Sequence, residues 1–280
     1  MKKITKKIGR YNYKANFVGD PIEFKGKVLS KTIIPHQVEV QPGGPTGGNI
    51  CWLPCPYCYG LSAKDSGERL SRERYVEILQ QIAVGGVNKI AFAGYATDPL
   101  NCEYIEDLFQ VALDYKQISG FHTKALKISE RLISQITHKS IAPKSFFNVS
   151  VDAGNNETYN SVHGVPKSKA KLYDKVLDNL CKISSARKLS GAPLDISTTY
   201  LINNINNSTD EILKAISDLR NVGADMIRFT FPQVPRGYSM DEKDQNIPKR
   251  EEILSFMKRL QPIIEKESSE DCEVLIMDLD

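Results

Sequence analysis

Short apolar runs rich in β-branched and aromatic residues alternate with amphipathic stretches from Pro35 onward. Runs of this length are typical of buried strands, and the stretches between them have the 3.6-residue periodicity of helices. Regular alternation of strands and helices predicts parallel βαβ units. The predicted strands cover residues 37–41, 89–93, 120–123, 146–151, 194–201 and 226–231.

The clearest predicted helix covers residues 208–222. Ser208 and Glu211 have the spacing of a capping box, and Gly223 supplies a stop signal. A second helix is predicted at residues 169–184, where leucine, valine and isoleucine recur on one face. Beyond residue 232 the pattern predicts one more helix near residues 249–266 and a final apolar strand at residues 274–277.

Parallel strands joined by helices cross over in a right-handed sense, which predicts an α/β fold with either a barrel or a doubly wound sheet. In both architectures functional groups gather at the carboxyl ends of the strands. The connection after the first strand, residues 42–60, is long, rich in glycine and proline, and holds three cysteines. A long irregular connection at that edge predicts the functional site.

The overall composition is that of an ordinary globular protein of 280 residues, with 41% hydrophobic and 25% charged residues. A net charge of +3 is too weak to indicate nucleic-acid binding. No run approaches the roughly 18 apolar residues of a membrane span, and no signal peptide is recognisable, so we expect a cytoplasmic protein without a membrane partner. The six cysteines are unevenly spread, which indicates metal binding rather than a disulfide framework.

Three of these cysteines, Cys51, Cys55 and Cys58, lie within one short loop. Thiolates favour iron–sulfur clusters, zinc or Cu(I). Three ligands on a four-iron cube leave one iron open, as a catalytic site requires, whereas a structural zinc site is closed by a fourth ligand. His36 could supply that fourth ligand, but the first strand would place it at the opposite end, so a zinc-binding module is kept as the alternative.

The spacing CxxxCxxC, with Tyr57 before the last cysteine, resembles the signature loop of the radical S-adenosylmethionine (SAM) superfamily. The resemblance implies a [4Fe–4S] cluster whose open iron binds SAM, and reductive cleavage of SAM to a 5′-deoxyadenosyl radical that abstracts hydrogen from a substrate. It also implies an electron donor such as flavodoxin or ferredoxin, and a contact of Tyr57 with the adenine, although Tyr57 could simply be a packed aromatic residue.

The implied fold is a partial (β/α)6 barrel of the radical SAM type with a short C-terminal extension. We therefore expect an N-terminal extension at residues 1–34, a radical SAM core at residues 35–235 and a C-terminal helix and strand at residues 236–280.

Further residues match the family's pattern after the second and fourth strands. Gly94 stands in the segment whose backbone receives the methionyl amino group, and Asp98 could replace that segment's missing glutamate. By the same resemblance Ser150 and Asp152 would bind the ribose hydroxyls or the carboxylate of SAM from one face of a strand. His163 stands where the pattern has an arginine, and could donate to the carboxylate. The alternative for Ser150 and Asp152 is that they cap the following helix.

Two basic residues are candidates for anion binding. Lys124 follows the third strand, at the place of the family's Thr-Asn-Gly segment, and could meet an anionic substrate. Arg228 alternates with apolar neighbours on the sixth strand, so it must either bind a carboxylate inside the barrel or lie in a buried pair.

The other cysteines, Cys102, Cys181 and Cys272, are isolated from one another, which predicts no auxiliary cluster of the common C-terminal kind. Cys102 follows the second strand and is the candidate hydrogen donor of an epimerase, with an ordinary helix-start residue as the alternative. Cys181 is expected to be buried packing. Epimerisation of a peptide or a sugar-like metabolite is therefore the predicted reaction. Alternatives are DNA repair like that of spore photoproduct lyases, whose loop also has an aromatic residue at the Tyr59 position, and activation of a partner protein.

Overall fold

The computed structural model describes most of the predicted core, with gaps at both termini and in several loops. The described residues are 7–8, 11–12, 21–30, 33–42, 51–58, 70–94, 97–166, 170–232 and 246–277. Tyr59 and the beginning of the predicted C-terminal extension lie outside them.

Seven parallel strands form one sheet in which every neighbour is also the next strand of the chain, in the order β3-β4-β5-β6-β7-β8-β9. Such an order winds in one direction only, as in a barrel, whereas a doubly wound sheet reverses direction. β3 and β9 are the edges, so the barrel is partial, as predicted. The strands of this sheet are β3 Val38–Val40, β4 Lys89–Phe92, β5 Ile118–Thr123, β6 Ser145–Ser150, β7 Leu194–Leu201, β8 Met226–Thr230 and β9 Glu273–Ile276.

Helices connect these strands and cover the outer face of the sheet. They are α2 Arg72–Val84, α3 Ile105–Asp114, α4 Glu130–Ile136, α5 Asn156–Val162, α6 Leu172–Ser190, α7 Thr209–Asn221 and α8 Arg250–Lys266. Before β3 the chain forms two short antiparallel strands and one helix, β1 Lys7–Ile8, β2 Tyr11–Asn12 and α1 Pro21–Leu29. In the described parts of the chain, no helix is both long and apolar enough to cross a membrane.

The core lies between the sheet and the helices, where aromatic rings stack from strand to strand. The ring centroids of Phe121 lie 5.3 Å from Phe92 on β4, 5.2 Å from Phe109 on α3 and 5.8 Å from Phe147 on β6. The opposite face of each strand points into the partial barrel and carries polar residues. The face of the sheet that contacts the helices is therefore occupied by core packing. The side chains on the opposite face, inside the barrel, can carry functional groups.

The predicted capping of α7 is confirmed only in part. Ser208 is the N-cap and accepts a hydrogen bond from the backbone N–H of Glu211 at 3.3 Å. The Glu211 carboxylate instead accepts hydrogen bonds from the backbone N–H of Gly154 and the side chain of Asn155, both at 2.6 Å. It ties α7 to the start of α5, a contact that helix periodicity does not reveal.

Candidate active site

The cysteine loop follows the carboxyl end of β3. Its three thiols are free; Cys55 is buried with 5% exposure, and Cys51 and Cys58 are half-buried. The backbone N–H of Cys58 donates to the carbonyl of Cys55 at 3.0 Å, which closes a tight turn. Burial raises the pKa of Cys55 to about 11, only partly opposed by the positive charge of Lys124.

Three free thiols on one short loop are a soft donor set that suits an iron–sulfur cluster. Within the described ranges, no three His, Cys, Asp or Glu side chains are placed to hold a single metal ion. A four-iron cube binds each thiolate through a different iron, so its ligands need not converge on one point. His36 is exposed and precedes β3, at the strand end opposite the cysteine loop, as predicted.

A small open cleft adjoins the cysteine loop. It is lined by Cys51, Asp98 and Lys124 together with Trp52, Leu53, Asn101, Leu126 and Lys127. A carboxylate and an ammonium group therefore stand beside a candidate cluster ligand at the carboxyl edge of the sheet.

The turn after α5 packs directly against the cysteine loop. His163 has no exposed surface, and its Nδ1 lies 3.1 Å from the Cys55 sulfur. Gly164 has a φ of 66°, and a Cβ at this position would lie 2.7 Å from the Pro54 carbonyl oxygen. Glycine is required here because the two backbones approach too closely for a side chain.

This position of His163 differs from the prediction. Burial, followed by the nearby Lys124 charge, lowers the pKa of His163 to about 3, so the ring is neutral. A fully buried side chain turned toward Cys55 is not placed to donate to the carboxylate of SAM. It supports the cysteine loop instead.

A buried network continues from His163 into the barrel. The hydroxyl of Tyr57 lies 3.2 Å from His163 Nδ1 and donates to Asp152 Oδ2 at 3.0 Å. The Lys124 ammonium donates to the same oxygen at 2.6 Å. Burial alone would raise the pKa of Asp152, but the Lys124 charge holds it below its usual value, while the carboxylate raises the pKa of Lys124 against the effect of burial. Both residues are therefore ionised.

The backbone at Asp152 departs from the predicted strand. β6 ends at Ser150, and Asp152 has a φ of 56°, so the alternation expected to put both side chains on one face does not extend this far. Asp152 has no exposed surface, and its second oxygen accepts from the Leu201 N–H at 2.7 Å. Asp152 is consequently a positioning residue, and Asn155 rather than Asp152 caps the next helix. Ser150 remains half-buried.

Asp98 is held at the rim by three donors. Its carboxylate accepts from the Thr123 hydroxyl at 2.7 Å, from the Lys124 N–H at 2.6 Å and from the Leu100 N–H at 2.9 Å. Burial raises the pKa of Asp98 despite these bonds. Gly94 begins the same loop, and a Cβ there would lie 1.8 Å from the Thr97 carbonyl oxygen, so only glycine fits.

Arg228 points into the barrel, as predicted, but is not paired with a carboxylate in the described parts of the chain. One terminal nitrogen donates to Asn148 Oδ1 at 3.0 Å and to the Thr199 hydroxyl at 3.2 Å. His122 joins this layer through its Nδ1, 3.2 Å from Asn148 Nδ2. Sequence reasoning missed His122 on β5 and Asn148 on β6, because both strands also carry other polar residues.

Cys102 is not where a hydrogen donor should be. It is 3% exposed and belongs to the hydrophobic core, and burial raises its pKa to about 11. A donor must reach the substrate, so the burial of Cys102 argues against this role. Cys181, expected to be buried, is exposed on α6, whereas Cys272 is buried. The positions of these three cysteines in the sequence do not reveal which side chains are buried and which are exposed.

Comparison with known proteins gives one curated relative and several solved structures. No protein-family model matches the chain. The sporulation killing factor maturation protein SkfB of Bacillus subtilis is 24% identical over 180 residues, 64% of this chain and 40% of SkfB. Streptococcus suis SuiB, in a crystal structure with SAM, has a TM-score of 0.64 and 14% identity over 92% of this chain and 54% of SuiB.

A third protein, anSMEcpe with bound SAM, has a TM-score of 0.60 and 18% identity over 86% of this chain and 64% of its own. The chain thus spans less than two thirds of the length of each of these proteins. Other crystal structures contain SuiB with its precursor peptide SuiA, and anSMEcpe with the Cp18Cys peptide. The chain shares the fold of a partial parallel barrel with these structures, and its cysteine loop lies at the carboxyl edge of that barrel.

Proposed function

We propose that this chain uses a [4Fe–4S] cluster and SAM to abstract a hydrogen atom from a peptide. The observation that carries the proposal is the loop of three free cysteines beside a cleft lined by Asp98, Lys124 and Lys127. Peptide as the substrate class is supported by SuiB and anSMEcpe, which have been crystallised with peptides, and by SkfB, which is a maturation protein.

Cys51, Cys55 and Cys58 would hold the cluster. When bound and reduced, the cluster supplies the electron that cleaves SAM to methionine and the 5′-deoxyadenosyl radical. His163 and Gly164 would support the part of the cysteine loop that contains Cys55. The remaining rim groups would then position SAM rather than react with it.

Four residues stay candidates for direct contact with SAM. Asp98 lines the cleft beside Cys51 and could accept from the methionyl amino group, while the backbone at Gly94 approaches the same place. Ser150 ends β6 on the barrel side, and its hydroxyl could reach a ribose oxygen or the carboxylate. Tyr57 could still contact the adenine with its ring, although its hydroxyl is turned toward Asp152.

Hydrogen abstraction fits several peptide modifications, of which epimerisation is one. An epimerase in this fold would need a hydrogen donor other than Cys102, because that thiol is enclosed by the core. Turnover in deuterated water tests this directly. Deuterium at a peptide α-carbon would support epimerisation, and its retention in Cys102→Ala would agree with a donor elsewhere.

The experiment that tests the proposal begins with anaerobic reconstitution with iron and sulfide. Reduced flavodoxin, ferredoxin or dithionite is added with SAM, and 5′-deoxyadenosine is quantified by chromatography. Cys55→Ala is expected to lose both the iron–sulfur absorbance and 5′-deoxyadenosine. Cys181→Ala, which removes an exposed thiol outside the loop, is the matched control and should retain both. A colourless wild-type protein that binds zinc and leaves SAM intact would contradict the proposal.

A further inference from the structure

The inner surface of the barrel carries a layer of polar groups one step below the rim. His122, Asn148 and Arg228 each lie two residues before a rim position on β5, β6 and β8. Two residues along a strand correspond to about 7 Å, so this layer lies about 7 Å deeper in the barrel than Lys124 and Ser150. None of these three residues lines the cleft beside Cys51.

Asn148 links the residues of this layer through hydrogen bonds. Its Oδ1 accepts hydrogen bonds from Ser197 at 3.0 Å, Thr199 at 3.2 Å and Arg228 at 3.0 Å. Because Oδ1 is committed to donors, the amide nitrogen must face His122 and donate to its Nδ1 at 3.2 Å. His122 is neutral, since burial and the Arg228 charge lower its pKa. Its proton therefore lies on Nε2, which has no acceptor in the described parts of the chain.

Arg228 has more donors than the layer uses. Among the described residues, only one of its terminal nitrogens has a hydrogen-bond acceptor, and its buried Nε has none. No carboxylate of those residues forms an ion pair with it. A half-buried guanidinium without a counter-charge is costly, and its planar set of donors matches a carboxylate.

The charge of the surrounding surface agrees with an anionic ligand. Lys89, on β4, lies 5.4 Å above the ring of Phe146, and that ring lies 5.0 Å from the His122 ring. Glu39 on β3 is the acidic neighbour of His122 and is exposed to solvent. The interior thus offers two cations and an aromatic surface, and Glu39 lies at the solvent edge.

We infer that Arg228 and His122 bind a carboxylate of the substrate, either an acidic side chain or a C-terminus, in the layer that lies about 7 Å below the rim. This inference rests on the proposed function. The other source of the same chemistry is the methionyl carboxylate of SAM. That source is less favoured because β8 is separated from β3, which carries the cysteine loop, by four intervening strands.

The test uses cluster-loaded protein with SAM on an array of synthetic peptides. The peptides come in pairs that differ only by Glu→Gln, or by a free or amidated C-terminus. Wild-type protein should bind the carboxylate member of some pairs at least tenfold more tightly. Arg228→Gln should lose that preference, Arg228→Lys should keep part of it, and Arg259→Gln, an exposed control, should behave as wild type.

Two further measurements separate the outcomes. The dissociation constant of SAM should be the same for Arg228→Gln and wild type, and a tenfold increase would assign the site to SAM instead. The melting temperature should not fall by more than a few degrees in Arg228→Gln, since no carboxylate of the described residues pairs with the charge and glutamine can still donate to Asn148; a larger drop would indicate a structural role. Absence of any carboxylate preference in wild type would overturn the inference, whereas failure to cleave SAM would overturn the proposed function.

Discussion

The sulfur of Cys55 lies 3.1 Å from Nδ1 of His163, although 108 residues separate the two in sequence. The contact joins the cysteine loop after β3 to the turn after α5, at the carboxyl end of the barrel. Because His163 is neutral and buried, its N–H can donate to a thiolate without adding a charge. Hydrogen bonds to sulfur are among the factors that set the reduction potential of an iron–sulfur cluster.

Replacing His163 by Phe is therefore expected to make the reduction potential of the cluster more negative. One lost hydrogen bond is worth about 1–2 kcal/mol, which corresponds to roughly 40–90 mV for a one-electron couple. Redox titration followed by electron paramagnetic resonance measures the shift. His163→Gln, which keeps an N–H donor, should recover part of it, and His138→Gln on the surface should have none. A potential unchanged in His163→Phe would show that this contact does not tune the cluster.

The ion pair between Lys124 and Asp152 should contribute strongly to stability. Lys124 is 18% exposed and Asp152 is completely buried, so removing either partner leaves a charge in the interior. Lys124→Met is expected to lower the free energy of unfolding by about 3–5 kcal/mol. The control is Lys214→Met, which breaks the more exposed pair with Asp218 and should cost under about 0.5 kcal/mol. Urea unfolding followed by circular dichroism measures the free energy of unfolding of both variants. Equal losses in the two would contradict a strong contribution from the buried pair.

The same pair predicts how stability depends on pH. The pKa of Asp152 is lower in the folded chain than its ordinary 3.8, so its contribution is present above that pH and is lost as the pH falls through the folded value. The pKa of Lys124 is raised above 10.5, so its contribution is lost only in strong alkali. The stability difference between wild type and Asp152→Asn should be constant near neutrality and shrink below about pH 4. A stability difference that grows as the pH falls would show that folding raises the pKa of Asp152 instead of lowering it.

Gly164 is expected to be required for two reasons: its positive φ, and the lack of space for a side chain. Gly164 and Gly191 have φ values of 66° and 70°, but only Gly164 is crowded, since a Cβ at Gly191 would meet nothing within 4 Å. Gly191→Ala should therefore cost only the conformational penalty of about 1–2 kcal/mol. Gly164→Ala should cost more and should also reduce the iron bound per chain, because it displaces Pro54 in the cysteine loop. Equal iron content in the two variants would show that the close approach does not position the loop.

Periodicity and turn signals predicted the strands and the major helices, because these depend on local patterns of apolar residues. They also located the cysteine loop, since a loop dense in cysteine is conspicuous in any fold. The partners of His163 and Asp152 could not be predicted in this way. His163 was assigned by alignment with a motif, but its direction is set by the Gly164 turn, and Asp152 leaves the strand through a positive φ that no sequence signal marks.

The direction of the Cys102 side chain could not be predicted from the sequence either. Its place after the second strand suggested exposure at the rim, whereas the 3-10 turn Pro99–Asn101 turns it inward among apolar side chains. Whether a residue near a strand end faces the barrel or the core depends on the turn that follows, and that turn is stabilised by Asp98 and Thr123 from different strands.

The measurement that tests the central claim most directly is the Mössbauer spectrum of protein reconstituted with ⁵⁷Fe, recorded with and without SAM. Three cysteine ligands and one open iron predict the spectrum of a [4Fe–4S] cluster in which a single iron site changes when SAM is added. Cys51→Ala and Cys58→Ala should each abolish that spectrum. A protein that takes up no iron, or a cluster whose spectrum is identical with and without SAM, would contradict the account.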